Sequence, residues 1–484
     1  MSFAAKLGSK LVIMISGRVS LLILGLVVTA ILTRTLGPAG FGQYRAAVAY
    51  LGLIVVLADM GLASIFMREI SRVGADQQRI VGNALALRLA ISSAMLLIAV
   101  GLAFLLPFDH SARLGILGGA LGFLAYSLHL LLFGLFQQRL RQQGAVLAEL
   151  SGGIVLVLVV VVFAAMEADP AWFVVALGLS YVLTLFVSLF FARRLLKFRL
   201  RFELPQWRKL AQAALPLAGT GILGVLYIRA DTILLALMQS PEAVGLYGVP
   251  IKIFDSLMGI TLLFTGLLAP LFARSASLDN DKFQQILTQG VGILFMSSML
   301  LLLVLNSLAG EIILILAGPA FIAAKAILQL LTVLFVLHST TLLFREAAVA
   351  LNLQKRLLPG YFIGAVIAFI AYFALIPAYA GIGAATALLA GESVVLIWAI
   401  SVVRHDVNLR GLLRVPAITI VAGAFIYLGF LHQGEAIAWP LRLVGASIAY
   451  IVILFAMGAL SWVQVSGLIK SMMSSDKISY DADD

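Results

Sequence analysis

The chain is dominated by uninterrupted apolar runs, fourteen of them within 484 residues. Each run is about 20 residues long, which matches a helix crossing the hydrocarbon core of a bilayer. Barrel strands would instead be about ten residues long and would alternate in polarity. Because only 11% of the residues are charged, the chain cannot cover a soluble surface with charge. We therefore predict an all-α polytopic membrane protein.

The predicted spans are separated by short loops and leave no room for an extramembrane domain. They are 11–33, 46–66, 84–106, 115–136, 149–166, 171–191, 211–237, 248–272, 285–308, 324–344, 357–377, 381–403, 415–431 and 441–463. The absence of cysteine excludes disulfides and thiol chemistry. There is no Walker loop and no His-Glu-x-x-His or Gly-x-Ser-x-Gly motif. We therefore predict a protein that is not an enzyme and has no cofactor or metal site.

One short sequence pattern occurs twice. Pro38, Gly42 and Tyr44 return as Pro241, Gly245 and Tyr247, each 203 positions later. Six spans separate the copies, so the repeated units run in the same direction across the membrane. This predicts an N-lobe at 1–192, a basic linker at 193–210 and a C-lobe at 211–403. Two extra spans at 404–463 and a cytoplasmic tail at 464–484 would follow.

The basic residues predict the orientation in the membrane. Of the 33 lysines and arginines, 24 fall in one set of alternate loops, 5 in the opposite set and 4 inside spans. Because basic loops stay on the cytoplasmic side, both termini are predicted to be cytoplasmic. The densest basic segment, residues 193–209, lies in the predicted linker. We interpret it as an amphipathic interfacial helix on anionic membrane lipids, or alternatively as a contact for an anionic substrate or partner enzyme.

Two stretches around the repeated pattern carry a family resemblance: LTRTLGPAGFGQYRAAVAYLGLIVVLADMGL at 32–62 and ADTILLALMQSPEAVGLY at 230–247. They resemble polysaccharide-biosynthesis flippases, the Wzx-like branch of the multidrug/oligosaccharidyl-lipid/polysaccharide (MOP) exporter superfamily. The resemblance implies two six-helix lobes around a central cavity and transport by alternating access. It also implies an undecaprenyl-diphosphate-linked oligosaccharide as cargo, moved from the cytoplasmic to the periplasmic leaflet of a bacterial inner membrane. Glycosyltransferases or a polymerase of the same pathway would be partners, and nucleic acid would not.

Charges inside spans are expensive and normally face a partner or a wet cavity. Four cations are candidates for substrate binding: Arg18, Arg88, Arg229 and Lys252. A guanidinium can bind a diphosphate bidentately, which makes Arg18 the leading candidate. Since Arg18 lies only about 10 Å into its span, it can also extend to the inner interface. Lys252 and Asp255 are three positions apart and can instead pair within their own helix.

Candidates for gating or ion coupling are Asp59, Asp231, Asp255, Glu392, His129 and His338. Asp59 precedes a helix-weakening Gly61, where its carboxylate would satisfy freed amides or form a switching salt bridge. Glu392 suits either a proton carrier or a fixed ion pair with an arginine. His129 and His338 occupy comparable places in spans 4 and 10, as packing residues or as proton relays.

Three other functions compete with flipping. A cation-coupled multidrug antiporter of the same superfamily would favour a carboxylate-rich cavity and twelve spans. A membrane glycan polymerase or ligase would usually carry a large periplasmic loop, whereas all loops on that side are short. A membrane scaffold without transport activity would explain neither the duplication nor the buried charges.

Overall fold

The computed structural model describes residues 3–139, 141–278, 280–428 and 439–457, and within them no side chains at 3–15, 215–229, 277–278, 410 and 439–443. The described chain is helical and has no β-strand. Its helices are α1 (Phe3–Leu57), α2 (Leu62–Ile70), α3 (Gln77–Ala103), α4 (His110–Gln138), α5 (Gln143–Ala165), α6 (Pro170–Leu195), α7 (Leu204–Met238), α8 (Pro241–Leu278), α9 (Asn280–Ser307), α10 (Ala309–Ala317), α11 (Ala324–Ala350), α12 (Gln354–Val403), α13 (Leu409–Ile426) and α14 (Trp439–Ala456).

The helices agree with the predicted spans. Nine helices in the described part of the chain are long and apolar enough to cross a membrane. Helix α12 contains two predicted spans and bends between them at Ala380, whereas α1 contains the first span and the start of the second, with a bend at Gly37. Both bending residues have positive φ. Helix α7 covers the seventh span, and the shorter α13 and α14 cover most of the last two. The prediction of an all-α multi-pass membrane protein is confirmed.

The chain packs into two compact units. Unit 1 comprises Met1–Val249, Ile313–Ala324 and Phe369–Ala385, and unit 2 comprises Pro250–Ile312, Lys325–Ala368 and Thr386–Asp484. In unit 1, α4 and α6 pack along each other extensively, and a side chain on Gly122 would strike the backbone of Gly178. In unit 2, α9 packs on α13. The lobe boundaries given by the sequence stay a prediction.

The two copies of the repeated pattern pack against each other inside unit 1. A Cβ atom on Gly42 would collide with the carbonyl oxygen of Pro241, and one on Gly245 would collide with the carbonyl oxygen of Pro38. The contact is therefore reciprocal, as in a self-complementary two-fold interface. Only glycine permits this approach of the two backbones. The two copies of the repeated pattern thus form a packing contact with each other.

The basic linker is not the interfacial helix that the sequence suggested. Helix α6 ends at Leu195 and α7 begins at Leu204, and residues 196–203 between them form no helix. We call residues 196–203 the strap. Its sequence Leu-Lys-Phe-Arg-Leu-Arg-Phe-Glu alternates apolar and charged residues with a period of two, which suits an extended chain with two faces. The amphipathic helix prediction was wrong because it overlooked this period.

The strap is fastened to the first turns of α3. The Arg201 amide donates a hydrogen bond to the Gly82 carbonyl oxygen (3.3 Å), and the Glu203 amide donates to Asn83 Oδ1 (3.0 Å). The Arg79 guanidinium forms an ion pair with the Glu203 carboxylate at 2.5 Å. The strap therefore joins α6 to α7 while held along α3.

Candidate functional site

Helices α1 and α5 approach closely enough to bring two opposite charges together. At the contact Gly17 faces Val146, and a methyl group on Gly17 would collide with the valine side chain. Each of these residues lies within one turn of a charged residue, Arg18 on α1 and Glu149 on α5. Arg18 Nη1 lies 2.8 Å from Glu149 Oε2. Arg18 is therefore held by a specific partner.

The pair continues into the interior of unit 1. Glu149 Oε1 lies 3.5 Å from His129 Nε2, and His129 Nδ1 is hydrogen-bonded to Ser188 Oγ at 2.7 Å. We call Arg18, Glu149, His129 and Ser188 the Arg18 network. Its side chains pass from partly exposed Arg18 (39%) through Glu149 (21%) to buried His129 (2%). An imidazole between a carboxylate and a hydroxyl is an arrangement that can relay a proton.

Aromatic rings border the Arg18 network. The Arg18 guanidinium lies 5.7 Å from the centre of the Phe133 ring, within the range of a cation–π contact. Tyr126 stacks on His129 at 6.4 Å and on Tyr181 at 4.4 Å. Such apolar walls lower the local dielectric and strengthen the attraction between the charges that they enclose.

Arg88 and Asp59 meet at a break in the second span. The helix stops after Leu57, where Met60 and Gly61 take positive φ, and it resumes as α2. Arg88 Nη1 lies 2.7 Å from Asp59 Oδ1, and Nη2 donates to the Val55 carbonyl oxygen at 3.3 Å. The break lies beside Gly61, the residue that the sequence predicted would weaken the helix. The carbonyl oxygen of Val55, just before the break, is bonded by Arg88. Asp59 is therefore in a salt bridge in this structure, and both roles predicted for it, satisfying freed amides and switching during transport, stay predictions.

Two serines complete the surroundings of Arg88. Arg88 Nε donates to Ser127 Oγ at 2.7 Å, and Ser92 Oγ lies 2.7 Å from the same hydroxyl. The Arg88 side chain is 1% exposed, whereas Asp59 is 29% exposed. In this structure the buried Arg88 guanidinium is thus bonded to a carboxylate, a carbonyl and a hydroxyl oxygen, and the substrate contact predicted for Arg88 stays a prediction.

The second histidine has a comparable partner in unit 2. His338 Nδ1 on α11 lies 3.1 Å from Glu392 Oε2 on α12, and Glu392 is 2% exposed. His129 meets Ser188, and His338 meets Glu392, 204 positions after that serine. Each histidine thus contacts a polar side chain of a later helix, one a hydroxyl and the other a carboxylate, although the histidines are 209 positions apart and their partners 204. Glu392 thus has His338 as a partner, and the ion pair predicted between Glu392 and an arginine stays a prediction.

The remaining candidates lie on α7 and α8. Asp231 is buried, and its Oδ2 accepts a hydrogen bond of 2.5 Å from Tyr247, a member of the second copy of the repeated pattern. Arg229 belongs to the part of α7 whose side chains are not described. Lys252 and Asp255 are half-buried on α8 in unit 2, and the ion pair between them stays a prediction.

The comparison with known families is decisive for the class of the protein. A family model described as "Polysaccharide biosynthesis protein" matches residues 7–276, more than half of the 484 residues. The chain belongs to this family. The match contains Arg18, Glu149, His129 and the break at Asp59. No curated protein sequence matches the chain.

Solved structures share the fold of this polysaccharide biosynthesis family member. The lipid II flippase MurJ in an inward closed conformation matches with a TM-score of 0.73 and 13% identity, over 95% of this chain and 99% of MurJ. An inward-facing multidrug resistance MATE transporter of the MOP superfamily matches with a TM-score of 0.59 and 16% identity, over 82% of this chain and 95% of the transporter. The eukaryotic MATE transporter AtDTX14 matches with a TM-score of 0.61 and 14% identity, over 86% of this chain and all of its own length. The chain has the MOP transporter fold.

Sequence reasoning about this family member missed Glu149. It stands at the first position of the fifth predicted span and is not among the candidate residues. A signal was present, because Glu149 is followed by Ser151, Gly152 and Gly153, small residues that allow a neighbouring helix to approach. Ser127 and Ser188 were also missed, since a single serine inside a span carries no pattern of its own.

Proposed function

We propose that this protein flips an undecaprenyl-diphosphate-linked oligosaccharide from the cytoplasmic to the periplasmic leaflet by alternating access. The proposal rests chiefly on the family match over residues 7–276, in a chain whose fold is that of a flippase and related transporters. The product would feed the synthesis of O-antigen, exopolysaccharide or a related polymer. The protein would lie in the bacterial inner membrane with both termini in the cytoplasm, as its basic loops predict.

Arg18 is proposed as the contact for the diphosphate. Its side chain is partly exposed, whereas the histidine at the far end of the Arg18 network is buried. The ion pair with Glu149 uses one guanidinium nitrogen, so further N–H groups remain to bind phosphate oxygens in a fork. Glu149 then fixes the direction of the guanidinium. Arg229 and Lys252 are proposed as additional cationic contacts.

Coupling to an ion gradient is proposed for the two histidine sites. In unit 2 a buried carboxylate faces His338, and in unit 1 a histidine lies between Glu149 and Ser188. A proton taken up by Glu392 would remove a buried charge and weaken its pair with His338, which changes the relative stability of two conformations. Asp231 and Asp255 are proposed to assist gating.

The test follows lipid-linked glycan across the membrane. In a strain depleted of the protein, intermediates carrying sugar should accumulate on the cytoplasmic leaflet and surface glycan should fall. Plasmid-borne wild type should reverse both effects. Proteoliposomes containing only this protein should move a labelled lipid-linked oligosaccharide, and a labelled organic cation should not be exported. Normal surface glycan after depletion, with no second flippase present, would reject the proposal.

A further inference from the structure

An apolar crevice opens at the end of unit 1 that carries the strap. Its walls come from α3, α4, α6 and the strap, and the free space in it and its mouth is ≈ 480 Å³. The lining includes Leu89, Leu128, Leu185, Leu189, Phe198 and Arg193. Every lining side chain other than Arg193 is leucine or phenylalanine. The cavity volume of the crevice is ≈ 120 Å³, so it is a narrow slot and is smaller than a pocket for a whole drug-sized ligand, about 300–1,000 Å³.

The crevice lining extends along α6 over most of the thickness of one leaflet. From Arg193 at its charged end to Leu185 is eight residues along α6, or about 12 Å. Half of a hydrocarbon core of about 30 Å is about 15 Å. Phe186 and Phe190 on α6 are exposed apolar side chains, as expected of a surface that meets lipid. An extended hydrocarbon chain entering from the bilayer would therefore meet apolar side chains over about 12 Å of its length.

The mouth of the crevice is cationic. Arg193 is exposed, and so are Lys197 and Arg199 on the strap. In the described part of the chain, none of these three forms an ion pair with a carboxylate. The strap's alternation directs Phe198 to the crevice lining and leaves the basic side chains exposed. Charges of one sign beside an apolar slot complement an anionic amphiphile.

We propose that the crevice binds an anionic phospholipid, with one acyl chain between α3, α4 and α6 and the phosphate on Arg193. This lipid would be a bound constituent of the protein and distinct from the transported glycolipid. Arg193 is the specific contact, since it alone combines a place in the lining with a positive charge. The strap closes the slot through Phe198 and is itself fastened to α3 by Arg79 and Asn83.

The experiment measures lipid retained by the purified full-length protein. Protein in detergent is titrated with phosphatidylglycerol and, separately, with phosphatidylcholine, and bound lipid is counted by native mass spectrometry. Wild type should retain one phosphatidylglycerol in preference to phosphatidylcholine. Arg193→Gln should weaken this binding by about fivefold, the effect of one basic residue at an anionic surface. The matched control is Arg194→Gln, which removes the same charge from a side chain that lies over the Phe190 ring.

A second pair of variants tests the slot itself. Leu189→Trp should fill the crevice and abolish the retained lipid, whereas Leu179→Trp, on the exposed face of the same helix, should leave it unchanged. Equal loss in Arg193→Gln and Arg194→Gln would reduce the effect to general surface charge and overturn the site. Retention in Leu189→Trp would overturn it as well. Displacement by stoichiometric polyprenyl diphosphate would assign the crevice to the cargo and reject a resident phospholipid.

Discussion

The Arg18 guanidinium lies 2.8 Å from the Glu149 carboxylate, although 131 residues separate the two in the chain. Through this pair Arg18 is the most exposed member of the Arg18 network, whose last residue is Ser188. A guanidinium fixed in this way is already oriented before a ligand arrives, and preorganisation lowers the entropic cost of binding.

Arg18→Ala should impair glycan export without loss of protein from the membrane. A hydrogen bond to a charged group contributes about 1.5–3 kcal/mol, so export should fall by roughly tenfold to a hundredfold. Arg18→Lys should restore part of the activity if charge alone suffices, and little if the fork is needed. The measurement is surface glycan in a depleted strain, with the variant quantified by immunoblot. Full complementation by Arg18→Ala would remove Arg18 from the site.

The charge swap Arg18→Glu with Glu149→Arg separates binding from packing. It keeps an ion pair at the same place but moves the cation to α5. Because Glu149→Arg also removes the carboxylate beside His129, the swapped protein is compared with Glu149→Gln, which loses the same carboxylate but keeps Arg18. If Arg18 serves only to hold α1 against α5, the swapped protein should export at least as well as Glu149→Gln. If Arg18 contacts the diphosphate, the swapped protein should be as stable as Glu149→Gln and export less.

Asp59→Ala should destabilise the protein more than Arg88→Met. The first change leaves the guanidinium of Arg88, which is 1% exposed, without its counter-charge, at a cost of about 3–5 kcal/mol. The second change removes the buried charge and keeps an apolar side chain of similar length. Thermal unfolding in detergent, followed by tryptophan fluorescence, compares the two. A milder effect for Asp59→Ala would show that the serines and the Val55 carbonyl hold Arg88 sufficiently.

Gly42→Ala should destabilise unit 1 by about 1–3 kcal/mol, since the added methyl would displace the backbone of Pro241. The matched control is Gly52→Ala on the same helix, where a methyl meets nothing within 4 Å. That control should be neutral or slightly stabilising, because alanine favours helix. Equal melting temperatures of the two variants would contradict the reciprocal contact.

The ion pair that fastens the strap should make stability depend on acidic pH. The hydrogen bond from Arg79 lowers the pKa of Glu203 below its ordinary value of 4.5. A carboxylate with a lowered pKa in the folded state contributes stability that is complete above the ordinary value and disappears as pH falls through the lowered one. The melting temperature of Glu203→Gln should therefore be lower than that of wild type by a constant amount above about pH 5. In more acid buffer the two melting temperatures should converge.

The measurement is the melting temperature as a function of pH for both proteins. Glu167→Gln, at an exposed carboxylate without an ion pair in the described chain, should run parallel to wild type throughout. A difference between Glu203→Gln and wild type that persists unchanged at low pH would disprove the role of the charged form.

Glu392→Gln should uncouple export from the proton gradient. The amide keeps the shape of the carboxylate beside His338 but cannot take up a proton. Transport in proteoliposomes should then lose most of its response to an imposed pH difference, while transport without a gradient continues. Asp281→Asn, at an exposed carboxylate on α9, is the control. An unaltered response in Glu392→Gln would exclude this residue from coupling.

The features predictable from the sequence are those with a repeating signal. Apolar runs predicted the helices, and the recurrence of Pro38, Gly42 and Tyr44 predicted the duplication. The bends at Gly37 and Ala380 lie at boundaries between predicted spans, but the bends themselves were not predicted. Partners across helices were not predictable, because nothing in one sequence states which face of α5 meets α1. Glu149 was overlooked for this reason, and the pairing of Asp59 with Arg88 stayed open.

The strap shows a different limit. Its charges were visible, and their density suggested a helix on the lipid surface. The alternation from Leu196 to Glu203 contained the correct answer, since a period of two belongs to extended chain. The composition of the strap shows that it is basic, but only the spacing of its apolar and charged residues indicates an extended conformation.

The backbone contact between Gly42 and Pro241, and between Gly245 and Pro38, bears on how the ancestral gene doubled. Elsewhere the two halves were free to diverge in sequence, because each position was constrained only by the residues around it. Where the copies touch, a bulky replacement in either one harms both. Sequence similarity between the two halves should therefore persist longest at this contact. A search for distant relatives should begin with these glycines.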